Sequence, residues 1–154
     1  MWQRVQTLFL LLLGALMIIT VFMEFWQEQR GNEIATLDAF QLEHVRQGSE
    51  VNSKPVFYIA GLSILAALIA FFSISKFKNR LLQIKLGALN SLLMAGVLGL
   101  IILFSGQGDE YIEGQQGKYL TGTYLPMAAM ICNLIANRFI RRDENLVRSA
   151  DRLR

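Results

Sequence analysis

The sequence predicts an all-α membrane protein with four transmembrane helices, both termini in the cytoplasm and a small β-cap from the two outer loops. Three observations lead there. Residues 5–23, 55–75, 86–108 and 119–137 contain no charged side chain. At a helical rise of about 1.5 Å per residue, each stretch matches the roughly 30 Å hydrocarbon layer of a bilayer. The 53% hydrophobic content is gathered into these blocks instead of being spread along the chain. The charges are lopsided as well. The termini and the turn between the second and third blocks hold 11 basic residues against three acidic ones, whereas the other two loops hold four basic against nine acidic. Lys and Arg in short loops mark the cytoplasmic side. The net charge of +3 is thereby read as a topology signal, and no nucleic-acid partner is expected.

The four crossings fall at about 5–25, 55–75, 86–106 and 122–140, in one membrane domain over 1–154, with a cytoplasmic helical tail at 141–154. The first has Trp2 at one end and Phe25-Trp26 at the other, amphipathic rings suited to the two interfaces. Glu24-Phe25-Trp26-Gln27 follows it in place of a small-x-small cleavage site, so the segment reads as a retained anchor. In the outer loop, residues 27–54, Phe40, Leu42 and His44 alternate with polar neighbours, a weak strand signal that Gln47-Gly48-Ser49 would turn back. A helix over 33–45 competes, using Ile34, Leu37 and Val45. Asn52 and Ser53 are candidate caps for the second helix, with Pro55 in its first turn. The basic turn that follows carries Lys76, Lys78, Arg80 and Lys85, an expected contact for anionic lipid.

The third crossing bears a stripe of small residues four apart: Gly87, Ser91, Ala95 and Gly99. The fourth offers Ala128, Cys132 and Ala136. In lipid, small faces let helix backbones approach closely, so these are the expected packing surfaces. Cys132 is the one cysteine, so no internal disulfide forms, and it reads as a small packing residue. The polar residues within the crossings include Asn90, Asn133 and Asn137. Asn90 and Asn133 sit at matching depth on sequential antiparallel helices, where they would face each other or a shared neighbour. In the second outer loop two aromatic runs flank residues 114–117, a hairpin pattern. In the tail, Leu146, Ala150 and Leu153 recur at helical spacing, and Glu144 can pair with Arg148.

The segments Gln3-Arg4-Val5-Gln6-Thr7, Lys78-Asn79-Arg80-Leu81-Leu82-Gln83-Ile84-Lys85 with Asn90, Tyr124-Leu125-Pro126 and the run from Asp143 to the end carry a resemblance. On them the chain resembles a family of four-helix inner-membrane proteins of Bacteroidota, classed as a domain of unknown function. The resemblance covers the whole chain, implies four spans and a bacterial inner-membrane location, and supplies no activity.

The chain shows no HExxH, no Ser–His–Asp set, no Cys–His pair and only one histidine, His44, so no metal, cofactor or catalytic residue is assigned. The expected function is a non-enzymatic scaffold or accessory subunit of a membrane assembly. It would dock a protein partner through Arg141, Arg142, Leu146, Val147 and Arg148, with Asp151 and Arg152. The alternatives are a small transporter or channel lined by Asn90, Asn133 and Asn137, and an enzyme acting on lipid.

Overall fold

Helices and strands come in separate blocks along this chain, in a computed structural model that describes residues 2–77, 79–112 and 117–151. Helix α1 (Trp2–Thr20) leads into four strands, β1 (Trp26–Arg30), β2 (Glu33–Leu37), β3 (Gln41–Arg46) and β4 (Ser49–Pro55). Helices α2 (Tyr58–Ser75) and α3 (Arg80–Gly108) follow, then β5 (Lys118–Tyr119) and α4 (Thr121–Asp151).

The all-α expectation with four membrane-crossing helices is therefore overturned. The protein is mixed α/β, with a five-stranded antiparallel sheet in the order β4-β3-β2-β1-β5 beside its helices, so a simple four-helix bundle does not describe it. Among the described residues, two helices, α2 and α3, are long and apolar enough to cross a membrane. The apolar part of α1, Val5–Thr20, is shorter. Helix α4 opens on Thr121, Gly122 and Thr123, carries Pro126, Asn133 and Asn137 in its apolar half, and turns basic from Arg138 onward. Those residues dilute it below a membrane-crossing composition.

The sheet forms because each turn has the residues that its geometry requires. Gly31 takes φ +56 between β1 and β2, and Gln47 and Gly48 take φ 53 and 80 between β3 and β4, the left-handed pair of a two-residue hairpin. Between β2 and β3, Asp38 Oδ1 accepts from the amides of Phe40 (2.6 Å) and Gln41 (2.7 Å), closing the turn with its side chain. The residues Asn52, Ser53 and Pro55, read as a helix start, instead form β4. Proline is tolerated there because β4 is an outer strand of the sheet. The free amide of Ala60 in the first turn of α2 donates to the Ala39 carbonyl of the β2–β3 turn at 3.2 Å.

Alternation along the strands turns Trp26, Ala35, Leu37 and Leu42 inward, where they join Met17 and Phe25 and the Val97, Ile101 and Phe104 face of α3 in one apolar core. Helix α1 packs on α2 and α4, and α3 packs on α2 and α4, while the sheet rests against α3. At that junction Lys54 Nζ donates to Gln107 Oε1 at 2.6 Å. The carbonyl of Phe25 accepts from Thr123 Oγ1 (2.6 Å) and from the amide of Leu120 (2.7 Å), tying β1 to the start of α4. The sheet thus lies at one end of the helices. Lys76, Arg80, Lys85, Arg138, Arg141 and Arg142 lie at the other.

Candidate functional site

A run of polar and small residues within the helical half lies between α3 and α4. Asn133, fully buried on α4, donates through Nδ2 to the Gly87 carbonyl (2.7 Å) and to Ser91 Oγ (2.8 Å) on α3. Ser91 Oγ itself donates to the Gly87 carbonyl at 3.1 Å. The Asn137 amide packs on Gly87, and a Cβ there would collide with it. Glycine at 87 therefore lets the second asparagine approach the α3 backbone. Asn90 is buried nearby at 1% exposure, with its Oδ1 unpartnered among the described residues. The Asn133 amide thus pairs with Gly87 and Ser91, not with Asn90.

The small-residue stripe divides along its length. Gly87 and Ser91 meet α4, whereas Ala95 and Gly99 are exposed, and no atom lies within 4 Å of a Cβ built at Gly99. On α4, Cys132 and Ala136 are buried and Ala128 is partly so. Inward packing of α3 uses the larger Met94, Val97 and Ile101 instead.

The basic end is organised around one ion pair. Arg80 Nη2 meets Asp143 Oδ2 at 2.9 Å, joining the first turn of α3 to the projecting half of α4. Asn79 caps α3 by accepting from the Leu82 amide at 3.1 Å, and Gln83 Nε2 donates to the Ser73 carbonyl at 2.9 Å. These contacts hold the turn between α2 and α3. Lys76 and Lys85 are exposed, and Lys76 Nζ sits 5.4 Å from the centre of the Phe72 ring. Arg141, Arg142, Leu146 and Val147 lie exposed on α4. A cavity of about 760 Å³ runs along α3 and α4 here, and its lining includes Asn137, Arg138, Arg141 and Arg142. Lys78 and Arg152 lie outside the described residues, as do the side chains of Arg148 and Asp151.

Two features escaped the sequence reading. The first is Arg138, which stands between the amide seam and the tail arginines. The second is the Arg80–Asp143 pair, which was legible as opposite charges beyond the inner ends of neighbouring antiparallel helices.

The sheet end holds a different polar group. Glu28 on β1 and His44 on β3 flank Ala35 in one row across the sheet. The His44 ring stacks on Tyr111 at 5.6 Å between centres, and its Nε2 lies 3.7 Å from Glu33 Oε2. Glu33 in turn pairs with Arg46 at 2.9 Å. Glu28 is 4% exposed, and neither carboxylate oxygen has a hydrogen-bond partner among the described residues. Burial pushes its carboxyl above the ordinary range, the Asp109 charge adds to this, and Arg30 opposes it. No group of three or more potential metal ligands occurs among the described residues.

Residues 2–153 match the family described as Domain of unknown function (DUF4293). No curated protein matches the chain in sequence.

Proposed function

As the chain belongs to the DUF4293 family, whose description assigns no activity, we propose from its own residues that it is a multi-pass protein of the bacterial inner membrane. In this reading it works without catalysis, as a scaffold or accessory subunit. The helical half sits in lipid, the sheet lies outside, and the basic end faces the cytoplasm. There the tail of α4 holds a protein partner.

The bilayer placement is supported by where the apolar surface points. Only 39% and 28% of the residues in the membrane-length stretches of α2 and α3 are buried, and Ile64, Leu65, Leu68 and Phe72 of α2 and Leu89, Leu92, Ile102 and Leu103 of α3 are exposed. The core helix of a water-soluble protein turns its apolar residues inward, and an outward apolar belt supports the reading that these helices face lipid.

The observation that carries the docking role is the end of α4. Val147 continues the inward face of that helix past Ile140 and Asp143, and it is 41% exposed; its neighbour Leu146 is 56% exposed. Arg141 and Arg142 lie on the same stretch, and Arg80 braces it through Asp143. An apolar spot inside a basic rim suits a partner segment with apolar anchors and acidic neighbours. Removing residues 144–154 leaves the Arg80–Asp143 brace intact and takes this surface away. Co-purification from native membranes is then expected to lose specific partners, and identical partner sets from both forms refute the docking role. In the alternative of an asparagine-lined path, Asn133 makes both donor contacts to α3, while the Oδ1 atoms of Asn90, Asn133 and Asn137 have no hydrogen-bond partner among the described residues.

A further inference from the structure

Two cavities open on the same side of the α3–α4 pair. The larger, about 760 Å³, lies at the basic end, between Ala88 and Ser91 of α3 and Leu134, Arg138 and Arg141 of α4. The smaller, about 230 Å³, lies toward the sheet, between Leu98 and Ile102 of α3 and Tyr124 and Met127 of α4. Helical spacing puts all of these on one strip of each helix. Between the two cavities that strip of α3 carries the exposed Ala95 and Gly99, with open space at Gly99. Together they outline a trough with arginines at one end, small residues between, and a mainly apolar cavity at the other.

We propose that this trough binds an anionic phospholipid, with the phosphodiester held by Arg138 and Arg141 and an acyl chain laid over Ala95 and Gly99 toward Met127. This rests on the bilayer placement proposed above. Arginine is the side chain best shaped to grip a phosphate, through paired N–H donors. The lengths agree too. From Arg138 to Met127 is 11 residues (138 − 127), about 16 Å of helix, close to half of the roughly 30 Å hydrocarbon layer. An acyl chain anchored at one headgroup plane covers that depth.

Charge separates this occupant from two others. A second copy docking symmetrically through the same face would bring like arginines together. An extended acidic peptide would fit the basic end but would carry unsatisfied backbone groups into the apolar part.

The test is native mass spectrometry of the delipidated full chain in detergent, titrated with phosphatidylglycerol or with phosphatidylcholine of the same chain length. The wild type is expected to bind phosphatidylglycerol preferentially. Arg138→Gln with Arg141→Gln is expected to weaken that binding roughly 30-fold and remove the preference. Gly99→Leu, which has room in the fold, is expected to weaken both lipids while keeping the preference for the anionic one. Circular dichroism checks that each variant is folded. Equal retention of the two lipids by the wild type overturns the proposal, as does unchanged binding in the arginine double variant. So does a change in oligomeric state on Gly99→Leu with lipid binding untouched, because a second copy then fills the trough. A protein that stays in water without detergent removes the bilayer placement itself. A protein that requires detergent but shows no lipid preference removes this inference alone.

Discussion

Asn133 spans the gap between two helices to donate to the Gly87 carbonyl at 2.7 Å, an acceptor that also receives the Ser91 hydroxyl. In the bilayer placement proposed above, such an amide has few other partners, and the bond ties α4 to α3 at one register. Replacing Asn133 by Leu is expected to cost about 0.5–2 kcal/mol. Unfolding in mixed micelles titrated with denaturing detergent measures it, and an unchanged midpoint excludes a holding role for the amide.

Gly87 and Asn137 are expected to act as a unit. A methyl group at 87 meets the Asn137 amide, which must then swing away. Gly87→Ala should destabilise by about 1 kcal/mol in the wild type, despite alanine's better helix propensity. In an Asn137→Ala background the same change should become neutral or stabilising, because the obstruction is gone. Additive effects in that double-mutant cycle contradict the contact.

The Arg80–Asp143 pair is partly exposed, with side-chain exposures of 19% and 18%. Solvent screening limits it, and a double-mutant cycle with Arg80→Gln and Asp143→Asn is expected to return about 0.5–1 kcal/mol. The coupling should shrink in high salt. Its larger effect should be on geometry: hydrogen exchange in α4 beyond Asp143 is expected to quicken in either single variant, and equal exchange rates rule out the brace.

Glu28 predicts a pH dependence of definite sign. Its folded carboxyl titrates above the ordinary value of 4.5, chiefly through burial, so the charged form is the disfavoured one in the folded state. Stability is retained below the unfolded value and is lost as pH rises from 4.5 through the raised folded value. Glu28→Gln removes that loss. Its melting temperature should exceed the wild type's by roughly 2–4 °C at pH 7, with the difference closing as pH falls toward 4.5. A difference that does not vary with pH assigns the effect to packing instead.

The two long apolar helices were legible because their charge-free stretches are also long and strongly apolar; missing charge alone misled over 5–23 and 119–137, where the apolar helix is shorter or diluted by polar residues. The sheet was harder to read because its signals compete. Leu42 and His44 alternate as a strand residue pair does, yet Ile34, Leu37 and Val45 also fit a helical face, and only pairing with β2 decides between them. Asn52, Ser53 and Pro55 have the chemistry of a helix start and the position of an outer strand. β5 is two residues long and pairs with a strand far back in the chain, a contact that no local pattern encodes. In the candidate site, spacing aligned Gly87, Ser91, Ala95 and Gly99 on one face. It had no means of saying that the neighbouring helix would cover only the first two, since that depends on where α4 crosses α3.

Phe25 offers one carbonyl oxygen to both Leu120 and Thr123, and the strand pairing of Trp26 with Tyr119 lies beside it. The helical ends nearest the sheet are thereby clasped, while at the opposite ends Arg80 and Asp143 form an ion pair between α3 and α4. Mechanically, the sheet end anchors α4, and the exposed stretch past the buried Ile140 reaches farthest from that anchor. A load applied at Val147 is borne along α4 as a lever about that clasp, so the displacement it produces grows with distance from the sheet.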